Sequence, residues 1–214
     1  SPDLDFTTNA RPDDIIAVTR RWCDTYWEMG REFGTIGMRK DGFQIEITTY
    51  RSEAYDPESR KPVVAFGERL EDDLYRRDFT MNAMALRLPQ MELVDPYGGV
   101  RDLHEGIVRT PGAPSSSFSD DPLRMMRAAR FASQLGVTVA PEVFAAMKDM
   151  AGRIEIISAE RVRDELVKLI NGKTPADGVD LLVESGLADY VLPEVAALRL
   201  EIDEHHRHKD VYQH

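Results

Sequence analysis

The character of the chain changes once, at Pro111-Gly112-Ala113-Pro114-Ser115-Ser116-Ser117, and that change restricts the fold more than any other feature. Before it, short apolar–polar alternations and turn residues predominate. After it come segments of helical period, over Pro122 to Leu135, Pro141 to Met150, Glu160 to Ile170 and Pro175 to Ser185, three of which open on proline. The expected fold class is α+β, a small mixed sheet followed by an all-α part. In the first part Leu4-Asp5-Phe6 reads as a strand. Arg11 to Glu28, apolar at Ile15, Ile16, Val18, Trp22 and Tyr26, reads as an amphipathic helix. Phe33 to Arg51 reads as a hairpin about Asp41-Gly42. Ser52 to Leu70 is a long polar loop, Glu71 to Asp78 a charged helix, and Thr80 to Leu88 and Met91 to Val94 two short strands. Asp95-Pro96-Tyr97-Gly98-Gly99 is a turn by its own chemistry.

At 214 residues the chain can bury a sizeable core, and its formal charge of −11 excludes a protein that coats nucleic acid by bulk charge. One cysteine, Cys23, permits no internal disulfide and no zinc spacing, which fits a reducing cytoplasm. No apolar run approaches the ~18 residues of a membrane span, so no membrane partner is expected.

Asp3 and Asp5 are two apart on the first strand and so point to one side of it. Adjacent carboxylates repel unless a cation lies between them, and Mg²⁺ is the natural one where phosphates are substrates. Glu46, on the polar face of the second hairpin arm, is the candidate third carboxylate. Three such groups can hold two ions across a phosphoryl-transfer site. A solvated strand edge accounts for Asp-x-Asp equally well when it is taken alone.

Five stretches, in order, give that pattern a context. They are Asp3-Leu4-Asp5-Phe6-Thr7-Thr8, Arg76-Arg77-Asp78-Phe79-Thr80-Met81-Asn82-Ala83, Asp95-Pro96-Tyr97-Gly98-Gly99-Val100-Arg101-Asp102-Leu103, Asp120-Asp121-Pro122-Leu123-Arg124-Met125-Met126-Arg127-Ala128-Ala129-Arg130-Phe131, and Glu160-Arg161-Val162-Arg163-Asp164-Glu165-Leu166. Together they resemble the motifs of class II CCA-adding enzymes, within the DNA polymerase β-like nucleotidyltransferase superfamily, with bacterial poly(A) polymerases as near relatives. The resemblance implies a nucleotidyltransferase head over residues 1–112, a helical neck over 113–172, the start of a helical body over 173–200 and a linker over 201–214. It implies CMP and AMP transfer from CTP and ATP to a tRNA 3′ end. It puts the catalytic carboxylates at Asp3, Asp5 and Glu46, with metal at Asp3 and Asp5.

By the same resemblance Arg76, Arg77, Asp78 and Asn82 bind ribose and phosphates, and Asp121 and Arg124 read the base. The hydrogen-bond logic agrees. Cytosine and adenine both offer an amino donor beside a ring acceptor, to which a carboxylate and a guanidinium are complementary. Uracil and guanine would face like with like. Asp121 before Pro122 is also placed to cap a helix, and a carboxylate has acceptor sites for both roles. Arg127 and Arg130 continue the stripe and suit RNA backbone, or ion pairs with neighbouring acids. Glu160 and Arg161 are expected to brace the neck, and Asp102 to couple head and neck.

The sequence departs from the family at two points. Only Ser1 and Pro2 precede Asp3, so the Gly-Gly or Gly-Ser phosphate motif is not in this stretch, and the base-reading motif opens on Asp120 where the family usually has Glu. The chain reads as a piece of a longer protein. His205, His206, His208 and His214 lie in a stretch that resembles the entry to an HD-type domain and reads as linker. Two rival functions stand beside CCA addition: a poly(A) polymerase with the same head, and a non-catalytic RNA- or nucleotide-binding module. Asp56-Pro57-Glu58-Ser59-Arg60, in the long loop, resembles the flexible loop of full CCA enzymes.

Overall fold

The computed structural model describes residues 3–52 and 65–196, so the Asp56-to-Arg60 loop and the clustered histidines lie outside the described residues. The chain divides into two compact units, Ser1–Arg76 and Arg77–His214.

The first unit is built on a four-stranded mixed sheet. Its described elements are β1 (Asp3–Thr8), α1 (Pro12–Thr19), β2 (Thr25–Gly30), β3 (Thr35–Lys40), β4 (Phe43–Thr49), the two-residue strands β5 (Arg51–Ser52) and β6 (Ala65–Phe66), and α2 (Leu70–Tyr75). The sheet order is β1-β4-β3-β2, with β1 parallel to β4 and the other pairs antiparallel. The β3–β4 turn is the expected one: Asp41 (φ 50°) and Gly42 (φ 84°) are both left-handed, as a two-residue hairpin of the sheet's twist requires. Because strand side chains alternate, Ile36, Met38, Ile45 and Ile47 share one face, and Ile15 of α1 closes over it with Ala10, Ile16 and Cys23.

One expectation is corrected. The helix read over Arg11 to Glu28 stops at Thr19, and Thr25–Gly30 is a strand. The Thr19 carbonyl accepts both Trp22 N–H and Cys23 N–H at 2.9 Å, which turns the chain back. Asp24 then ties it to the hairpin: its N–H donates to Arg39 O, and its carboxylate accepts Asp41 N–H at 2.9 Å and Lys40 at 3.2 Å. Thr25, Tyr26 and Trp27, residues that favour strands, follow as the sheet edge.

The second unit is mainly helical. It contains β7 (Ala85–Arg87), β8 (Glu92–Val94), α3 (Gly99–Glu105), β9 (Ile107–Val108), α4 (Pro114–Asp120), α5 (Leu123–Leu135), β10 (Thr138–Val139), α6 (Pro141–Met150), α7 (Ala159–Ile170), α8 (Pro175–Glu184), α9 (Ala188–Val191) and α10 (Pro193–Ala196). The four long helices fall where their proline starts and apolar periods put them. Two local readings change and one helix is added. Thr80–Asn82 is a tight helical turn, so the strand expected from Thr80 begins only at Ala85. The Pro-Ser-Ser-Ser stretch, given no element from the sequence, enters a helix, α4. Thr138–Val139 pairs parallel with Ile107–Val108, inside the part read as all helical.

α5 is the centre of this unit, with Met125, Met126, Ala128, Ala129 and Ala132 in a core shared with Phe79, Val108, Phe118, Met147, Leu169 and Leu182. The small residues let neighbours approach closely: a Cβ on Gly178 of α8 would stand 2.9 Å from both Leu169 Cγ and Ser133 Cβ. The same core explains why the division into units falls at Arg76 rather than near residue 112. Phe79, Met81 and Val108 are buried among the helices, so residues 77–112 belong with them.

Candidate active site

In the first unit the strand register brings the expected carboxylates to one face. Asp5 is the direct partner of Glu46, and Asp3 pairs with Gln44 one row along. Paired residues on adjacent strands project to the same side, so Asp3, Asp5 and Glu46 all face away from the Ile15 core. Asp3 and Asp5 are exposed and Glu46 is half-buried. Oxygen donors on neighbouring positions are the set a hard divalent cation takes. Among the described residues, however, no three acidic, histidine or cysteine groups converge as a metal-binding cluster.

In the second unit the base-reading candidates lie at the entry to α5. Asp121 does act as a cap: its Oδ1 accepts Leu123 N–H at 3.1 Å. Its Oδ2 accepts Arg161 at 2.9 Å, which fixes α7 against this turn and gives Arg161 its bracing role. Arg124 Nη1 donates to Ser117 Oγ at 2.8 Å and more weakly to Ser117 O at 3.4 Å. Burial draws the Arg124 guanidinium below its usual value, opposed by Asp78, Asp120 and Asp121. Arginine titrates so high that it stays charged. Ser117 is not among the residues singled out from the sequence, because the segment that carries it shows only a change of character there.

Asp78 is buried and heavily engaged. Its Oδ1 accepts Phe79 N–H at 2.9 Å and Asn82 Nδ2 at 3.1 Å, and its Oδ2 pairs with Arg127 at 2.6 Å. Asn82 therefore orients Asp78. Arg77 is exposed and makes a long contact to Asn82 O at 3.5 Å, and Arg76 ends the first unit. Arg130 pairs with Glu165 at 2.6 Å and lies over the Phe131 ring, which meets Phe79 edge-on. Burial also lowers its pKa. Of the two readings for Arg127 and Arg130, both arginines here take acidic partners. Asp102 is fully buried, accepting Thr80 Oγ1 at 2.8 Å and facing Arg101 and Arg109, each at 3.4 Å.

The first unit is thus a small mixed sheet with a one-sided carboxylate row, and the second a helical unit in which half-buried Arg124 follows Asp121 at the entry to α5. A family profile described as "Poly A polymerase head domain" matches residues 1–109, and the chain belongs to that family. A second, "Probable RNA and SrmB- binding site of polymerase A", matches residues 136–198.

The chain is 40% identical over 202 residues to the CCA-adding enzyme of Levilactobacillus brevis, covering 94% of this chain and 49% of that protein. It is 38% identical to that of Anoxybacillus flavithermus, with the same coverage. Among solved structures it resembles the Bacillus stearothermophilus CCA-adding enzyme in complex with CTP, with a TM-score of 0.78 and 36% identity over 87% of this chain and 44% of that one. It also resembles the Thermotoga maritima CCA-adding enzyme complexed with tRNA_CCA, with a TM-score of 0.74 and 27% identity over 91% of this chain and 44% of that one. The chain thus spans about half the length of the curated relatives it matches.

Proposed function

We propose that this chain carries the transfer and base-selecting parts of a tRNA nucleotidyltransferase, which adds CMP and AMP from CTP and ATP to the tRNA 3′ end in the cytoplasm. The observation that carries the reading is the register of β1 and β4, which sets Glu46 beside Asp5 and on the face of Asp3. A binding module has no use for three unpaired carboxylates on one sheet face, whereas nucleotidyl transfer does. Mg²⁺ held by Asp3 and Asp5, with Glu46 as the third donor, would lower the pKa of the 3′-hydroxyl and offset charge on the triphosphate. The 3′-oxygen then bonds to the α-phosphorus, pyrophosphate leaves, and the hydroxyl proton passes to water.

Selection belongs to the second unit. Ser117 fixes one edge of the Arg124 guanidinium, and Leu123 N–H and Arg161 fix the Asp121 carboxylate. Each carboxylate oxygen has two acceptor sites, so Asp121 can still take the amino group of cytosine or adenine. A bidentate pair of this kind discriminates by about 1–3 kcal/mol, and unpaired buried groups on a wrong base add to that. Asp78 Oδ2, with one partner, retains an acceptor site for a ribose 2′-hydroxyl.

The test is incorporation by the full-length protein on tRNA lacking its last three nucleotides, with Mg²⁺ and each labelled nucleotide. C, C and A followed by arrest is the expected product. Long A tails would make it a poly(A) polymerase, and no incorporation by a folded protein would leave the binding module.

A further inference from the structure

The row that contains Asp5 and Glu46 continues across the sheet. Glu46 pairs with Gly37 of β3, and Gly37 pairs with Trp27 of β2. These partners share one face, so Asp5, Glu46, Gly37 and Trp27 form a single line on the carboxylate side. The indole does not stand away from that line. A Cβ on Gly37 would overlap Trp27 Nε1 and Cε2 and lie 2.6 Å from Cζ2. The ring is therefore laid down over Gly37, in the space where a side chain would be, toward Glu46. The ring is half-buried, and among the described residues its N–H has no hydrogen-bond partner. On the same face, two residues along β3, Arg39 pairs with Gln44, and Gln44 pairs with Asp3. Arg39 is exposed.

A flat ring with an exposed cation beside it, next to the groups that would hold the attacking hydroxyl, is the arrangement that single-stranded nucleic acid seeks: stacking for the base, charge for the backbone. Adjacent strands are about 4.8 Å apart, so Gly37 lies one strand from Glu46 and two from Asp5. That is the reach of one nucleotide. We propose that Trp27 is the stacking platform for the 3′-terminal nucleotide of the RNA acceptor, with Arg39 meeting the phosphate that precedes it. The inference rests on the transfer reading above. It adds a residue outside the five recognised motifs, and it requires Gly37, because any side chain there would lift the indole off the sheet.

The experiment measures ATP addition by the full-length protein to an RNA ending in CC, and to the same RNA with its last nucleotide abasic but its 3′-hydroxyl intact. Stacking is worth about 5- to 150-fold in affinity. Trp27→Ala is expected to raise the RNA KM about tenfold with the ATP KM unchanged, and Trp27→Phe to stay within about threefold of wild type. Wild type on the abasic RNA should fall to the Trp27→Ala level, and Trp27→Ala should not distinguish the two RNAs. That substrate comparison needs no variant to fold. A wild-type enzyme indifferent to the missing base overturns the proposal. So does a Trp27→Ala enzyme whose ATP KM moves while its RNA KM does not. If wild type fails on the natural RNA as well, the transfer reading itself is at fault.

Discussion

Arg124 gains its precision from Ser117. In the proposed base-reading role, a half-buried guanidinium held at Nη1 by a hydroxyl 2.8 Å away would resist swinging to suit a uracil carbonyl. Arg124→Ala is expected to relax C-over-U choice by about tenfold or more, the scale of one bidentate contact, while CTP binding weakens less. Misincorporation assays with single nucleotides would measure this, and unchanged C/A preference would remove Arg124 from that role. Ser117→Ala should move selectivity the same way by a smaller factor. At the other end of the chemistry, Asp5→Asn should abolish transfer with the melting temperature essentially unchanged, because Asp5 is exposed and makes no side-chain hydrogen bond or ion pair among the described residues. Normal turnover in Asp5→Asn would remove it from the metal site. That Asp3 and Asp5 share a strand face is legible because their spacing of two along β1 carries that information, whereas the role proposed for Arg124 comes from the motif that surrounds it. Ser117 and Gly37 act through contacts made across a turn and between strands, and no local pattern announces them.

Between elements, α5 and α7 are held by a pair that sequence spacing cannot reveal. Arg130 and Glu165 approach to 2.6 Å with side chains 12% and 8% exposed. Lys168 adds a contact to Glu165 at 3.2 Å. Removing one member of such a buried pair leaves a charge without compensation and costs about 3–5 kcal/mol. Glu165→Ala is expected to lose that much stability in urea titration, and Arg130→Met with Glu165→Leu to recover most of it. A Glu165→Ala protein as stable as wild type would mean that water already satisfies Arg130. The elements themselves were readable where a turn or cap was chemically forced, as at Asp41-Gly42 and Pro141. The segment from Trp22 to Glu28 was misread because its apolar residues satisfy a helical period. The turn at Thr19 and the Asp24 contacts to Arg39, Lys40 and Asp41, distant in sequence, decide for a strand.

Over the whole chain, 38 acidic residues outnumber 27 basic ones, yet the proposed partner is a polyanion. Local arrangement resolves that tension only in part, because Arg127, Arg130 and Arg161 are each paired with an acid. The arginines of that stripe are then engaged within the protein, and affinity should depend on metal, stacking and hydrogen bonds more than on charge from α5. For single strands the logarithm of affinity falls with the logarithm of salt with a slope near −0.7 per phosphate neutralised. With Arg39 and one or two further cations engaged, a short single-stranded RNA ending in CC should give a slope between about −1 and −2. Arg39→Gln should make it shallower by about 0.7, whereas Arg127→Gln, which leaves Asp78 without its cation, should weaken binding without flattening the slope. Titrations between low and moderate KCl at fixed Mg²⁺ measure both. A wild-type slope as steep as about −5 would mean that the arginines leave their acidic partners to meet the RNA, and that α5 presents a basic stripe only when the substrate is bound.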